Sequence, residues 1–205
     1  GKLVRELGGM TYAEFIGPGL VVSTVMYTAT FEMTYGAYTR LTVQSTYDAL
    51  LATPVTIREL VAGELFFAGI KSVVGATCVL IVVAVFGLVP AWSALGALPL
   101  AFVAGVMFAA MALTVTSISK SYEFFNYYFT LVIAPMFLFS GIFYPLEQTP
   151  PWAQSLAQLL PLTHVVALVR PLVRGNLDVS TAWPHLLATT AMTGRSGLPS
   201  AASSA

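Results

Sequence analysis

Charged residues are scarce in this chain of 205 residues: only 9% are charged, while 57% are apolar. A soluble domain has roughly 25% charged residues, and a mean hydropathy of +0.82 would make a water-exposed surface aggregate. The nine basic residues are balanced by nine acidic ones. Nucleic-acid binding requires a basic surface, so the balance excludes nucleic acid as a partner and favours membrane lipid.

Cysteine is nearly absent, and the single Cys78 excludes an intrachain disulfide. Its apolar surroundings predict a small buried side chain. The sequence has no P-loop or zinc-binding H-E-x-x-H motif and no G-x-S-x-G elbow. The two histidines, His164 and His185, lack the spacing of a zinc pair. We therefore expect no cofactor on this chain, so that energy for any work must come from a partner or an ion gradient.

Long stretches without charge, residues 72–119 and 124–146, dominate the chain. About 20 apolar residues cross the roughly 30 Å of hydrocarbon in a bilayer, so the first stretch holds two spans and the second holds one. Another span follows residues 17–19 (GPG), where the sequence predicts a break. The four predicted full spans are residues 20–39, 66–89, 94–119 and 124–144.

Prolines divide residues 145–177 into pieces shorter than a span. Between Pro151 and Pro161, residues 152–160 form an amphipathic helix with Trp152 and Leu156 on its apolar face. Such a helix is typical of an interfacial or re-entrant segment. The last span, residues 182–192, is incomplete. The fold class predicted is therefore an all-α polytopic membrane bundle, in a domain of residues 1–192 followed by a disordered tail at 193–205.

Residues 40–71 form the one charge-rich interior stretch. Ser45 with Asp48, and Thr56 with Glu59, have the spacing of N-terminal helix caps, and the first helix must end before Pro54. Within that short helix, an exposed apolar strip is predicted at Tyr47, Leu50 and Leu51. A strip of this kind suits docking to a groove of a soluble partner, and the alternative is a plain interface loop.

Several polar residues lie in or beside predicted spans. Glu32 either faces a substrate path or pairs with a neighbouring helix, because a buried carboxylate is costly. Lys71 snorkels to the interface or pairs with Glu64. The residues at 126–128 (NYY) line a path or form an interfacial belt. His164 is a hydrogen-bonded structural residue or a ligand, and a membrane enzyme using Glu32 or His164 as acid or base is the alternative to transport, beside a non-transporting assembly protein.

Five ordered blocks carry a resemblance to a known family. The sequence resembles the ABC-2 type permeases, and within them the nodulation protein J and lipooligosaccharide exporter group. The blocks are residues 31–36 (FEMTYG), 46–54 (TYDALLATP), 121–128 (SYEFFNYY), 137–147 (FLFSGIFYPLE) and 160–164 (LPLTH). The resemblance implies a permease homodimer of six spans per copy in the bacterial inner membrane, with two cytoplasmic ATP-binding subunits that use the ATP.

The same resemblance implies roles for individual regions. It implies that residues 44–54 are the helix that couples to the ATPase. It also implies that residues 145–174 are an external re-entrant region. Against the six spans of the family, the resemblance implies that the first span is missing before Gly1 and that the sixth span is truncated. The cargo implied is an amphipathic glycolipid such as a lipochitooligosaccharide, with a drug or another polysaccharide as the alternative.

Three sets of candidate site residues follow. The coupling helix comprises Tyr47, Asp48, Leu50, Leu51, Thr53, Pro54 and Arg58. The candidate substrate path comprises Glu32, Tyr35, Asn126 and Tyr127. The external re-entrant region comprises Trp152, Leu156, His164 and Arg170.

Overall fold

The computed structural model describes residues 12–88, 95–146 and 149–173, and every regular element in these ranges is helical. The predicted all-α class is therefore confirmed. The helices are α1 (Tyr12–Phe31), a π-helical turn (Glu32–Gly36), α2 (Ala37–Thr42), α3 (Thr46–Leu51), α4 (Ile57–Val85), α5 (Ala97–Ile118), α6 (Glu123–Tyr128), a second π-helical turn (Phe129–Ile133), α7 (Ala134–Phe139), α8 (Pro151–Leu159) and α9 (Pro161–Val173).

The first rod is continuous, because α1, its π-turn and α2 follow one another with helical backbone angles. The break predicted at residues 17–19 is wrong, since Pro18 lies inside α1. Membrane helices tolerate proline where neighbouring groups satisfy the freed backbone. The glycines serve packing instead: a Cβ on Gly19 would lie 2.6 Å from the Ile142 side chain.

The caps of α3 and α4 differ. The predicted Ser45 cap is wrong, because Ser45 has a left-handed backbone (φ 48°) and makes no side-chain cap bond, whereas a capping residue needs extended angles. The Thr56 cap is confirmed as a full capping box: the Thr56 amide donates to Glu59 Oε2 at 2.8 Å, and the Glu59 amide donates to Thr56 Oγ1. Helix α3 ends at Leu51, before Pro54, as predicted.

Small residues let α4 and α5 approach closely. A Cβ on Gly105 would lie 2.7 Å from Ser72 Cβ and 3.4 Å from the backbone of Gly69. Helices in lipid gain little from apolar burial against each other, so close van der Waals contact at small residues is what holds them.

The rod formed by α6, the second π-turn and α7 ends at Phe139, several residues before the predicted end of the span. Gly141 is therefore outside the helix, which corrects its expected place within the span. It forms a turn with φ 76°, a backbone angle that glycine adopts without steric cost. The chain then reverses, and the Tyr144 hydroxyl donates to Leu138 O at 2.8 Å.

Helices α8 and α9 meet at 89°, which makes them a broken span or a re-entrant loop. The helix between Pro151 and Pro161 is confirmed. Pro171, however, lies inside α9 and does not divide it as predicted. Trp152, Leu156 and Leu159 are exposed, while the alanines on the opposite side of α8 are buried.

Among the described helices, α4 and α5 are long and apolar enough to cross a membrane, and the bent pair α8–α9 counts as a third if it forms one span. They correspond to the predicted spans 66–89 and 94–119. The helix Glu123–Phe139 is shorter. The predicted spans 20–39 and 124–144 are not among the described helices that meet this length and composition, and the count of four full spans stays a prediction. Cys78 is exposed rather than buried, which corrects that prediction. The predictions for residues 182–192 and 193–205 lie outside the described residues.

The contacts define two ends of the bundle. At one end, the Tyr122 hydroxyl before α6 lies 2.9 Å from Thr39 Oγ1 of α2, next to α3. At the other end, Arg170 of α9 stacks on Phe15 near the start of α1, 4.1 Å from its ring centre. Helix α3 and the α8–α9 pair therefore lie at opposite ends of the helices.

Candidate coupling helix and ion cluster

Four charged side chains, Glu32, Arg40, Glu64 and Lys71, form what we call the ion cluster. Arg40 Nη1 donates to Glu32 Oε1 at 2.8 Å, and Arg40 Nη2 donates to Glu64 Oε2. Lys71 Nζ donates to the second oxygen of Glu32. The charges cancel, and Glu32 is only 7% exposed, so both of its oxygens are matched by cations, as a buried carboxylate requires.

This arrangement corrects the predicted pair of Lys71 with Glu64. The two residues lie on one face of α4 but about 10 Å apart along the helix, whereas α1 brings Glu32 within reach of Lys71. Lys71 keeps 52% of its side chain exposed. For Glu32, the geometry corresponds to the pairing alternative, and its role in a substrate path stays a prediction.

Gly36 makes room for the ion cluster. It lies in the π-turn between Glu32 and Arg40, and a Cβ there would be 2.8 Å from Glu32 Oε1 and 3.4 Å from Arg40 Nη1. From α5, the Thr116 hydroxyl donates to Met33 O at 2.6 Å, which satisfies a backbone group of the same turn. π-helical turns of this kind occur often at functional sites.

Helix α3 has one buried side and one exposed side. Leu50 and Leu51 are 40% and 42% exposed, and Asp48, Thr53, Pro54 and Arg58 are exposed as well. Tyr47 is buried, so the predicted strip of three exposed apolar residues is wrong by one member. The spacing i, i+3, i+4 places these three residues on one face of the helix. It does not indicate which part of that face the neighbouring helices cover.

Tyr47 reaches into the body of the bundle. Its hydroxyl is buried beside the Arg40 guanidinium and the Glu64 carboxylate without a hydrogen bond of good geometry. Burial raises the pKa of the Tyr47 phenol to about 12, so the hydroxyl stays protonated and able to donate at neutral pH. The ring borders a cavity of about 200 Å³ whose lining includes Ala37, Leu60 and Glu64.

Aromatic rings pack beside the two π-turns, and we call this group the aromatic surface. Its members are Phe31, Tyr35, Tyr38, Tyr122, Phe125 and Phe129. The Tyr35 hydroxyl donates to Asn126 Oδ1 at 3.0 Å, so the structure brings together two of the four predicted path residues. Tyr127 points away and is exposed, and Glu32 belongs to the ion cluster.

The residues predicted for the external region lie in α8 and α9. Trp152 and Leu156 are exposed on α8. His164 contacts Gln158 O through Nε2 at 2.9 Å, which fits the structural role expected for it. Arg170 donates to Gly141 O at 3.0 Å and so holds α9 against the turn after α7.

Sequence reasoning missed three contributors to this site. In the sequence, Arg40 is only the first residue of the charge-rich stretch 40–71, and no helix-cap or helix-break pattern singles out Gly36 or Thr116. A basic residue eight positions after an intramembrane acid, with glycine midway, is the pattern that could have indicated the intrahelical ion pair. No pattern in the sequence indicates the hydrogen bond of Thr116, which depends on how α5 packs against α1.

Comparison with known proteins identifies the family. The model of the ABC-2 type transporter family matches residues 1–173. The chain belongs to this family. It is 38% identical to Nodulation protein J of Rhizobium meliloti, over 86% of this chain and 67% of that protein. It is 26% identical to the inner membrane transport permease YadH of Escherichia coli, over 87% of this chain and 70% of that protein. No solved structure matches.

Membership confirms the resemblance that the sequence blocks predicted, and the chain spans about two thirds of the length of its curated relatives. It is a transport permease of the bacterial inner membrane, built as the membrane subunit of an ABC exporter. The alternative of a membrane enzyme is wrong, because members of this family are transport subunits rather than catalytic enzymes.

Proposed function

We propose that this permease is driven by two cytoplasmic ATP-binding subunits that contact α3, and that it works as a homodimer. The observation that carries the proposal is the exposed pair Leu50 and Leu51 on a short helix that lies outside the long helices. An apolar pair of this kind suits the groove of a partner protein. Helix α3 then lies on the cytoplasmic side, and α8 and α9 lie on the external side.

Docking is tested with Leu51→Asp in the full-length permease, co-expressed with its ATP-binding subunit. A carboxylate at a buried contact costs a few kcal/mol, so co-purification of the ATPase should fall by about tenfold or more. Leu51→Met, which keeps an apolar side chain, is the matched control and should retain the ATPase. Full ATPase yield with Leu51→Asp, at normal membrane levels, would contradict the docking role of α3.

For the cargo, we infer an amphipathic glycolipid of the lipochitooligosaccharide class. The aromatic surface supports this, because aromatic rings and the Tyr35–Asn126 hydrogen bond offer both stacking area and polar groups. Amphipathic rings of this kind suit a cargo with one apolar and one polar part. Phe124 and Leu131, which are exposed on the same helical rod as Phe125 and Phe129, suit an acyl chain.

The cargo is tested in inside-out vesicles that contain the permease and its ATPase. An N-acylated chitooligosaccharide should accumulate in an ATP-dependent manner, and the same oligosaccharide without its acyl chain should not. Asn126→Leu, which removes the polar partner of Tyr35, should reduce uptake. Uptake of both compounds alike would favour a polysaccharide carrier, and uptake of neither would contradict this cargo class.

A further inference from the structure

Tyr47 is the single side chain of α3 that is buried against the rest of the bundle. The other side chains of this short helix are exposed or half-buried. A movement of α3 is therefore transmitted to the interior of the bundle mainly through the Tyr47 side chain.

The Tyr47 hydroxyl lies at one end of the ion cluster. It faces Arg40 and Glu64 but has no well-aligned hydrogen bond. A buried hydroxyl without a partner is unfavourable, so a small shift of the ring that completes a bond to the Glu64 carboxylate changes the balance of the Arg40–Glu64 pair. Most buried polar side-chain atoms in proteins have a hydrogen-bond partner, and the Tyr47 hydroxyl is an exception.

Space for such a shift exists beside the ring. The cavity of about 200 Å³ is bordered by Tyr47 and Glu64, and most of its other lining side chains are apolar, with Thr116 and Ser117 as the exceptions. Protein interiors are usually packed too densely for an aromatic ring to move without displacing its neighbours. The ring of Tyr47, by contrast, borders open space on this side.

Arg40 connects this point to the π-turn of the first rod. Its guanidinium binds Glu64 of α4 through one nitrogen and Glu32, the first residue of the π-turn, through another. Tyr35 lies in the same turn and packs on Phe129 in the second π-turn. A change in the hydrogen bonds of Arg40 to Glu64 and Glu32 therefore shifts the π-turn, which carries part of the aromatic surface.

We propose that Tyr47 is a positioning residue that transmits movement of α3 to the Arg40–Glu64 pair, and through Arg40 to the π-turn at Glu32–Gly36. The ion cluster is then the connection between the ATPase-facing helix and the aromatic surface. This inference rests on the proposed function of α3 as the helix that the ATPase contacts. It does not depend on the identity of the cargo.

The test measures coupling without any cargo. A cysteine replaces Phe31, an exposed member of the aromatic surface, in a Cys78→Ala background of the full-length permease with its ATPase. The rate of thiol labelling is measured with and without ATP and vanadate. We expect the nucleotide to change the rate by about fivefold or more when Tyr47 is present, and the change to be lost in Tyr47→Phe although the ATPase still co-purifies.

Tyr144→Phe is the matched control, because it removes one hydroxyl at the opposite end of the bundle and should keep the response. A second variant, Ala37→Val, fills the cavity beside Tyr47 without touching a polar group and should also lose the response. A full response in Tyr47→Phe would overturn the proposal, and so would loss of ATPase binding in that variant, because Tyr47 would then be a contact residue. Leu51→Asp tests docking separately, so the two failures are distinguishable.

Discussion

The Arg40 guanidinium reaches the Glu32 carboxylate at 2.8 Å, although eight residues separate the two on one helical rod. In an uninterrupted α-helix, eight residues make about 2.2 turns, which leaves the two side chains about 80° apart. The π-turn takes up one residue more than an α-helical turn. Glu32 and Arg40 are therefore related almost as positions i and i+7, within about 20° of the same face.

Glu32→Gln should destabilise the permease. The substitution leaves Arg40 with Glu64 as its partner and removes the carboxylate that Lys71 binds, and removal of one partner from a buried ion pair costs on the order of 3 kcal/mol. The apparent melting temperature in detergent should fall, and the double variant Glu32→Gln/Lys71→Gln should recover part of the loss because it restores neutrality. An unchanged melting temperature in the single variant would show that the ion cluster contributes nothing to stability.

Gly36→Ala should also weaken the ion cluster. Its Cβ would lie 2.8 Å from Glu32 Oε1, so the carboxylate must move away from Arg40. Gly63→Ala in α4 is the control, because a Cβ there meets nothing within 4 Å. Alanine at that position should stabilise the helix by roughly 0.5–1 kcal/mol. The melting temperature should fall in Gly36→Ala and rise in Gly63→Ala. A shift in the same direction in both variants would contradict the steric argument.

The two helix caps should respond differently. Thr56→Ala removes a capping box and should cost about 1 kcal/mol, whereas Ser45→Ala should cost little because Ser45 makes no cap bond. Ser45→Gly should stabilise the protein, since glycine adopts the left-handed angles of this position without steric cost. Thermal unfolding of the three variants measures this, and an equal loss in both alanine variants would argue against the assigned caps.

The sides of the membrane can be read by thiol labelling in a Cys78→Ala background. A cysteine at Gln158, exposed on α8, should react with a membrane-impermeant reagent added to intact cells. A cysteine at Arg58, exposed at the start of α4, should react only after the cells are opened. The reverse result would invert the proposed orientation of α3 and α8.

Much of the fold could be predicted from local patterns. The charge-free stretches around α4 and α5, the Thr56 capping box and the end of α3 before Pro54 are all set by residues near in sequence. The break predicted at residues 17–19 failed because glycine and proline have two uses. In water they usually mark a turn, whereas here Gly19 admits Ile142, a residue more than a hundred positions away.

The sequence by itself determined that this protein is an apolar helical membrane permease, and its ordered motif blocks determined the family. Only the tertiary structure decided that Glu32 pairs with Arg40 and Lys71, and that Tyr47 points inward while Leu50 and Leu51 remain exposed. The physical reason is distance. Helix formation and hydropathy depend on neighbours within a few turns, but the partner of a buried charge and the covered face of a short helix depend on which distant helices pack against them.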